Sequence, residues 1–507
     1  MRPYNLARAK LINLSNSIEK RTTIFGGLLV FVCSLTLFSS CFSEDFTPSQ
    51  SSDISFSIDT LRFDTVFTEI GSITRSVRIR NLSDNNITIQ EIKLTDPNSK
   101  FRMNVDGLPG NSFEDVRING MDSVWVFIEV TIDPDESLSV SPFVINETVE
   151  VTSGSDVNFL NLEAFGQNAN YFPSRDAQGQ VIGLTCNNGS IVWDDPRPYV
   201  VNGLLFIDSC GLVIPPGTQV FVHGGLTRLN DQIVNDGGLF FLPNGSIDVV
   251  GTADQPVVIQ GDRLETAFDD VPGQWSGIRL LAGSRNNRFS HTTIRNSIVG
   301  IRADSASQVF IESCNIHNTS NVGFIGIGAE AVINNSLFYN NAAQSILLSQ
   351  GGSYELNYNT IANNINDQPG LFIDNFQCLD IDCVQIAIRP NTTTIRNSIF
   401  TGSNPNEIVI FDITDGSDPE SLNLSFSQTI LRIDETENLF DFSAVCDGCL
   451  INPEGQLFVD ASNAIFTLDT MSAGINQGLP IPNITTDQIG VLRDATTPDL
   501  GCFELVE

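Results

Sequence analysis

From residue 292 onward one short pattern keeps returning: TTIRN around Ile294, CNIHN around Ile316, NSLFY around Leu337, NTIAN around Ile361, NSIFT around Ile399 and QTILR around Ile430, at intervals of 22, 21, 24, 38 and 31 residues. A unit of this length with Asn, Gly and Ser at its corners fits one coil of a parallel β-helix. Each coil is three short strands and three turns, and its apolar face is covered by the next coil. The leucine-rich repeat has a similar length but requires an L-x-x-L-x-L pattern, which is missing. The longer intervals mark excursions out of the stack, NFQCLDIDCVQIAIRPNTT being one. Upstream, LVIPPGTQVFV, GLFFLPNGSIDVVG and PVVIQGDR read as further coils. Residues 199–507 are therefore expected to form a right-handed parallel β-helix with a C-terminal cap.

The repeat also decides how ESCNIHNTSNVGF should be read, because Cys314 and His317 stand there in a C-x-x-H spacing. Side chains alternate faces along a strand, so with Ile316 pointing inward Cys314 shares its face and His317 points out. At this alignment the Cys314 slot holds Thr292, Asn335, Asn359, Asn397 and Gln428, a small polar column of the kind that stacks as a ladder. The His317 slot holds Arg295, Phe338, Ala362, Phe400 and Leu431, which share no chemistry. A joint metal site is not expected. His223 and His291 stand singly, and no H-E-x-x-H pair occurs.

Ahead of the repeat, RSVRIRNLS (75–83), ITIQEIKL (87–94), DSVWVFIEVTIDP (122–134) and ETVEVTSG (147–154) alternate apolar and polar residues between Gly, Asn, Asp and Pro turns. Several short strands so punctuated predict an all-β sandwich over 57–166. The order RIRNLSDNNITI, VFIEVTIDP, LEAFGQ resembles the immunoglobulin-like modules of the ASPM and Hydin family, which implies a binding or spacer unit without catalytic residues. Residues 167–198 are polar and irregular, a connector and cap.

The N-terminus reads as an address. Basic residues through Arg21 precede the apolar run TTIFGGLLVFVCSLTLFSS and then Cys41. LFSSC resembles a bacterial lipobox, which implies that residues 1–40 are a signal peptide and that Cys41 carries lipid; Phe38 replaces the usual Leu. The uncleaved alternative is a minimal membrane span. Glu44 and Asp45 resemble the acidic export signal of Bacteroidetes surface lipoproteins, implying an outer-membrane protein facing the cell surface. The Ser-rich stretch over 41–56 is expected to be a flexible tether.

The formal charge is −34, and since five of the 26 basic residues fall within 1–40 the remainder is more acidic still. Such a field repels nucleic acid. Export places the eight remaining cysteines in an oxidising compartment. CLDIDC (Cys378, Cys383) and CDGC (Cys446, Cys449) are local disulfide candidates, and Cys186 with Cys210 brackets one segment. The rival reading of CDGC, a redox or zinc motif, lacks a second C-x-x-C or a nearby His. The pairing of Cys314 and Cys502 stays open.

IPPGTQVFVHGG, TADQPVVIQGDR, PGQWSGIRL, LFVDASNAIFTLDTMSAGINQG and DLGCFE resemble pectin-lyase-like β-helix proteins of Bacteroidetes over roughly residues 199–505. The shared motifs are turns and caps, so the resemblance implies a fold more than an activity. Lyases of that fold use a cation or Ca²⁺ against a uronate and a Lys or Arg as base, and glycosidases need two facing carboxyl groups. The only lysines are Lys10, Lys20, Lys93 and Lys100. What remains is GDRLETAFDDVPGQW, in which Asp262, Arg263 and Trp275 are candidate sugar ligands, with Asp269 and Asp270 as weak catalytic or Ca²⁺ candidates. Arg279, Arg285, Arg288, Arg295 and Arg302 are the one basic concentration, and Arg279, Arg295 and Arg302 are candidate contacts to an anionic glycan. The expectation is a non-catalytic surface lipoprotein that binds glycan, or another surface protein, as adhesin or scaffold. No metal or cofactor is expected beyond a possible Ca²⁺. A polysaccharide lyase or glycoside hydrolase is the alternative.

Overall fold

The computed structural model describes residues 46–48, 54–67, 74–97, 99–131, 143–154, 156–167, 169–173 and 183–506, the last range without 225, 230, 231, 236, 265, 366 and 435–439. The signal peptide over 1–40, the lipidation site Cys41 and the acidic Glu44 and Asp45 lie outside the described residues.

The first compact unit is a β-sandwich. One sheet contains Ile87–Leu94, Phe143–Ser153, Asp156–Gln167 and Thr60–Phe67, with Ser112–Ile118 also on Ile87–Leu94. The other runs Ile54–Phe56, Arg75–Asn81, Ser123–Val130, Phe101–Val105, Leu108–Gly110. The period-two pattern is realised: Val124, Val126, Ile128 and Val130 are buried, and Trp125 and Phe127 between them are exposed. The tether is shorter than 41–56, because Ile54–Phe56 pairs with Ile79–Asn81 and buries Ile54.

The second unit is the parallel β-helix. Each coil gives one strand to an eleven-stranded parallel sheet and two to a continuous seventeen-strand set that wraps the other faces. One coil, for example, comprises Ile301–Ala303, Gln308–Glu312 and Asn315–His317. The helix begins earlier than residue 199. Asn170–Pro173 already pairs with Tyr199–Asn202, and Gly189–Val192 with Cys210–Val213. The connector is thus a first coil, hidden from a periodicity search because its segments lack the apolar repeat. It is tied by the Cys186–Cys210 disulfide and plugged by Trp193, whose ring stacks on Tyr199 at 4.6 Å and on Phe172 at 4.8 Å.

The true register differs from the sequence alignment at half of its anchors. The inward column is Ile294, Ile316, Phe338, Ile361, Phe400, Leu431. Leu337, Ile399 and Ile430 sit one residue earlier and face outward, and a one-residue slip exchanges the two faces of a strand. With the register corrected, Cys314 stacks with Thr292, Ser336, Asn359, Ser398 and Thr429, all at most 1% exposed. Backbone N–H groups donate to the next coil's side chain down this column: Cys314 to Ser336 Oγ at 3.1 Å, Ser336 to Asn359 Oδ1 at 2.9 Å, Asn359 to Ser398 Oγ at 3.1 Å. The preceding residues, Ser313, Asn335, Tyr358, Asn397 and Gln428, all have positive φ and turn the chain between sheets. Cys314 and Cys502 are unpaired and buried, and burial pushes both thiols up to about 12.

Excursions from the coils include the hairpin Leu226–Leu229/Gln232–Asn235, the loop 262–275, and the hairpin Phe376–Cys378/Ile386–Ile388 closed by Cys378–Cys383. The last coil carries the Cys446–Cys449 disulfide. The remaining chain, from about residue 453, then runs back as a strap across the outside of the eleven-stranded sheet. Gripping it are Asn397 Nδ2, which donates to Leu479 O at 2.7 Å, Tyr358 OH to the same oxygen at 2.9 Å, and Asn335 Nδ2 to Thr486 O at 2.9 Å. Leu337, Ile399 and Ile430 pack against Phe466, Leu468, Leu500 and Cys502 of the strap.

Candidate functional site

Upstream of the strap, the loop 262–275 lies over the same outer face. Its Leu264 packs on a small apolar patch of Ala169, Val200 and Phe221, which anchors the loop at one end. At the other end Trp275 enters the coil. It is 0% exposed in the core, with Nε1 donating to Arg295 O at 3.0 Å. The expected sugar platform on Trp275 is therefore wrong: an indole sealed inside the stack cannot meet a ligand, and its hydrogen-bond donor is already spent.

The register places Gln260, Arg295, His317 and Tyr339 in one outward column. Arg295 Nε donates to Gln260 Oε1 at 2.5 Å and Nη2 to Asp269 Oδ1 at 3.1 Å, the Asp269 side chain being 60% exposed. Asn296 Nδ2 donates to Asp269 O at 2.8 Å, so the loop is held over the coil at this point. The His317 ring lies flat on Tyr339, centroids 4.4 Å apart and planes 7° from parallel. His317 points out of the coil as expected yet is buried, and burial, then the neighbouring Arg295, push its pKa down to about 3, leaving the imidazole neutral. Burial pushes the Tyr339 hydroxyl up; Arg295 and Asn315 oppose the rise and Asp270 adds to it, which places both Asp270 and Arg295 in its electrostatic reach.

His223 is not single. Val222 pairs with Gly261 on the next coil, so the two following side chains meet, and His223 Nδ1 lies 2.6 Å from Asp262 Oδ2. The 39 residues between them hid this pair, and the sequence carries no local signal for it. Arg263 turns back over Phe268, 3.7 Å from the ring centroid.

Of the residues singled out from sequence, the structure joins Asp269 to Arg295, while Asp262 meets His223 and Arg263 folds over Phe268 within the same loop. Arg279 and Arg302 lie elsewhere, neighbours on the seventeen-strand set, each donating Nε to Asp304 at 2.8 Å. Arg285 and Arg288 pair with Glu330 and Glu312 at 3.2 and 3.3 Å. The arginines do not form one strip for an anionic glycan, because each has a carboxylate beside it and they divide among the three strands of the coil, Arg279 and Arg302 on one, Arg288 on the next and Arg295 on the third. Among the described residues no group of three or more His, Cys, Asp or Glu side chains is arranged to hold a metal ion.

A right-handed parallel β-helix preceded by a β-sandwich is thus the class this architecture defines. Residues 257–400 match the family model described as the right handed beta helix region. Solved structures similar to the chain include the catalytic unit of a thermostable GH87 alpha-1,3-glucanase from Streptomyces thermodiastaticus, at 11% identity over 70% of this chain and 73% of that one, TM-score 0.28. The periplasmic alginate epimerase AlgG is similar at 12% identity over 57% and 84%, TM-score 0.21. A family 123 glycoside hydrolase from Clostridium perfringens is similar at 8% identity over 22% of this chain, TM-score 0.17, and the chain spans only 26% of its length. No curated protein matches the chain.

Proposed function

We propose that the protein is an exported lipoprotein, anchored through Cys41 at the outer membrane and facing the cell surface, which binds a glycan on the face formed by Gln260, Asp269, Arg295 and Tyr339 without cleaving it. The observation that carries this reading is the pairing on the face. Arg295 is spent on Gln260 and Asp269, and Asp262 on His223, so donors and acceptors are presented in hydrogen-bonded pairs. A sugar hydroxyl both donates and accepts, and planar paired groups of this kind satisfy both roles. A glycosidase instead needs two carboxyl groups facing one bond, and in this face Asp262 and Asp269 each face a nitrogen base.

A second reading, a lyase or hydrolase with optional Ca²⁺, has the His223–Asp262 pair in its favour, since a carboxylate on Nδ1 orients an imidazole for proton transfer. Affinity electrophoresis on a polysaccharide panel, together with assays for unsaturated uronate and new reducing ends with and without Ca²⁺, separates the two. Retardation by a glycan without turnover, weakened at least tenfold in Arg295→Ala, is expected. Turnover abolished by His223→Ala or Asp262→Asn overturns the binding reading in favour of the enzyme.

A further inference from the structure

The outer face of the second sandwich sheet departs from the polar pattern of the β-helix. Ser123–Val130 places Trp125 and Phe127 side by side on the solvent face, 44% and 40% exposed, ring centroids 6.1 Å apart and planes within 18°. Solvent-facing residues of a surface strand are ordinarily polar, and two large aromatics in succession on that face forgo a sizeable hydrophobic gain unless something covers them. Arg78, their cross-strand neighbour, sits 4.9 Å from the Trp125 ring and holds the indole in place. Beside Phe127 opens a groove of about 850 Å³, lined among others by Arg102, Asn104, Asn111 and Glu129. That volume lies within the range of small-molecule sites. Asn104, in the lining of the groove, has its Oδ1 buried without a hydrogen-bond partner.

We propose that this face is a second glycan site, which takes a neutral sugar ring against Trp125 and Phe127 while Arg102, Asn104 and Glu129 bind its hydroxyls. The C–H face of a pyranose is apolar and its rim is polar, and the site presents that combination: the Trp125–Phe127 pair with Arg78 on the indole, and beside Phe127 a groove whose lining carries one cation, Arg102, one anion, Glu129, and amides. An acidic glycan would meet Glu129 without a surplus of cations in the groove. A protein partner would leave the polar rim to be desolvated for little apolar area in return. The site is independent of the β-helix face, and it adds a second point of attachment to the same class of ligand.

The test exploits the tryptophans. Trp193 and Trp275 are 1% and 0% exposed, so solvent-sensitive emission reports on Trp125. The full chain is titrated with soluble β-glucan, mannan, arabinoxylan and, as the acidic probe, polygalacturonate, and acrylamide quenching and affinity electrophoresis are followed together. At least one neutral polysaccharide is expected to shift the emission to the blue, protect it from quenching and lose tenfold or more in affinity in Phe127→Ala. Trp125→Ala should lose the same affinity by retardation, with an unchanged thermal melt because the side chain is exposed. Retardation with unmoved Trp125 emission assigns the ligand to the β-helix and overturns this site, as does an affinity that is unchanged in Trp125→Ala. A response to polygalacturonate alone overturns the neutral ligand. Concentration-dependent dimerisation abolished by Trp125→Ala, without a glycan response, overturns the glycan in favour of a second copy of the chain.

Discussion

Two segments cover the outer face of the same eleven-stranded sheet, and they do so in opposite ways. The C-terminal strap seals it: Arg493 and Glu504, side chains 2% and 7% exposed, meet at 3.1 Å, and Arg493 also donates to Asn335 Oδ1 at 2.9 Å and lies 3.9 Å over the Tyr358 ring. The loop 262–275 leaves it open: Arg295 and Asp269, 26% and 60% exposed, meet at the same 3.1 Å. One scaffold with one ion-pair length thus yields a structural clamp where water is excluded and an accessible polar face where it is not. Burial, more than geometry, divides the two roles.

The largest expected effect lies under the strap. Arg493→Ala removes the counter-charge of Glu504, whose carboxylate keeps only the backbone N–H groups of Asp494 and Asp499, and leaves Asn335 Oδ1 without its donor; breaking one half of a buried pair costs about 3–5 kcal/mol. Thermal unfolding should fall accordingly, and limited proteolysis should release the strap before the coils. Acid should strain the boundary between the two covers. His317 lies against Tyr339, which in turn touches Phe466 of the strap at 5.1 Å. Its folded pKa of about 3 lies below the ordinary histidine value of 6.5, so between these limits the unfolded chain binds the extra proton. This contribution to stability is complete above pH 6.5 and shrinks as pH falls toward 3, by about 2 kcal/mol at pH 5. Urea titrations from pH 7 to 5 should show the loss, and His317→Gln should flatten it; an equal slope in the variant would assign the acid sensitivity elsewhere.

The strap also explains what the sequence revealed and what it concealed. The period, the all-β character and the three local or bracketing cysteine pairs were legible because a stack repeats its corners and an apolar residue must return to the core on every coil. The register was not legible at Leu337, Ile399 and Ile430, since the strap buries their outward side chains too, and a strand buried on both faces reads as a continuous apolar run. Two adjacent apolar residues, Leu337 and Phe338, then compete for one inward slot. The candidate site suffered from the same slip, which separated His317 from Tyr339, while Trp275 misled because a large aromatic in a polar loop looks the same whether it points out or enters the core. The corrected ladder gives an intermediate test. Asn359→Ala removes the acceptor of Ser336 N–H at 0% exposure and should cost about 1–3 kcal/mol, whereas the same change in a solvated corner would be nearly neutral.

The smallest stability effect is expected at the open cover, where it is the most informative. Asp269→Asn leaves the backbone bond from Asn296 intact and removes a carboxylate that is 60% exposed, so unfolding should change by less than about 1 kcal/mol. The substitution also frees Arg295 from one of its two partners and unbalances the charge of the face. If the face recognises a neutral glycan through matched donors and acceptors, affinity should fall in this variant although the fold is unmoved, and added salt should change the affinity of the parent little. If Asp269 serves only to pin the loop, affinity and stability should fall together. Calorimetric binding measured beside thermal unfolding in the same buffer distinguishes these outcomes, because a ligand contact separates the two quantities and a clamp does not.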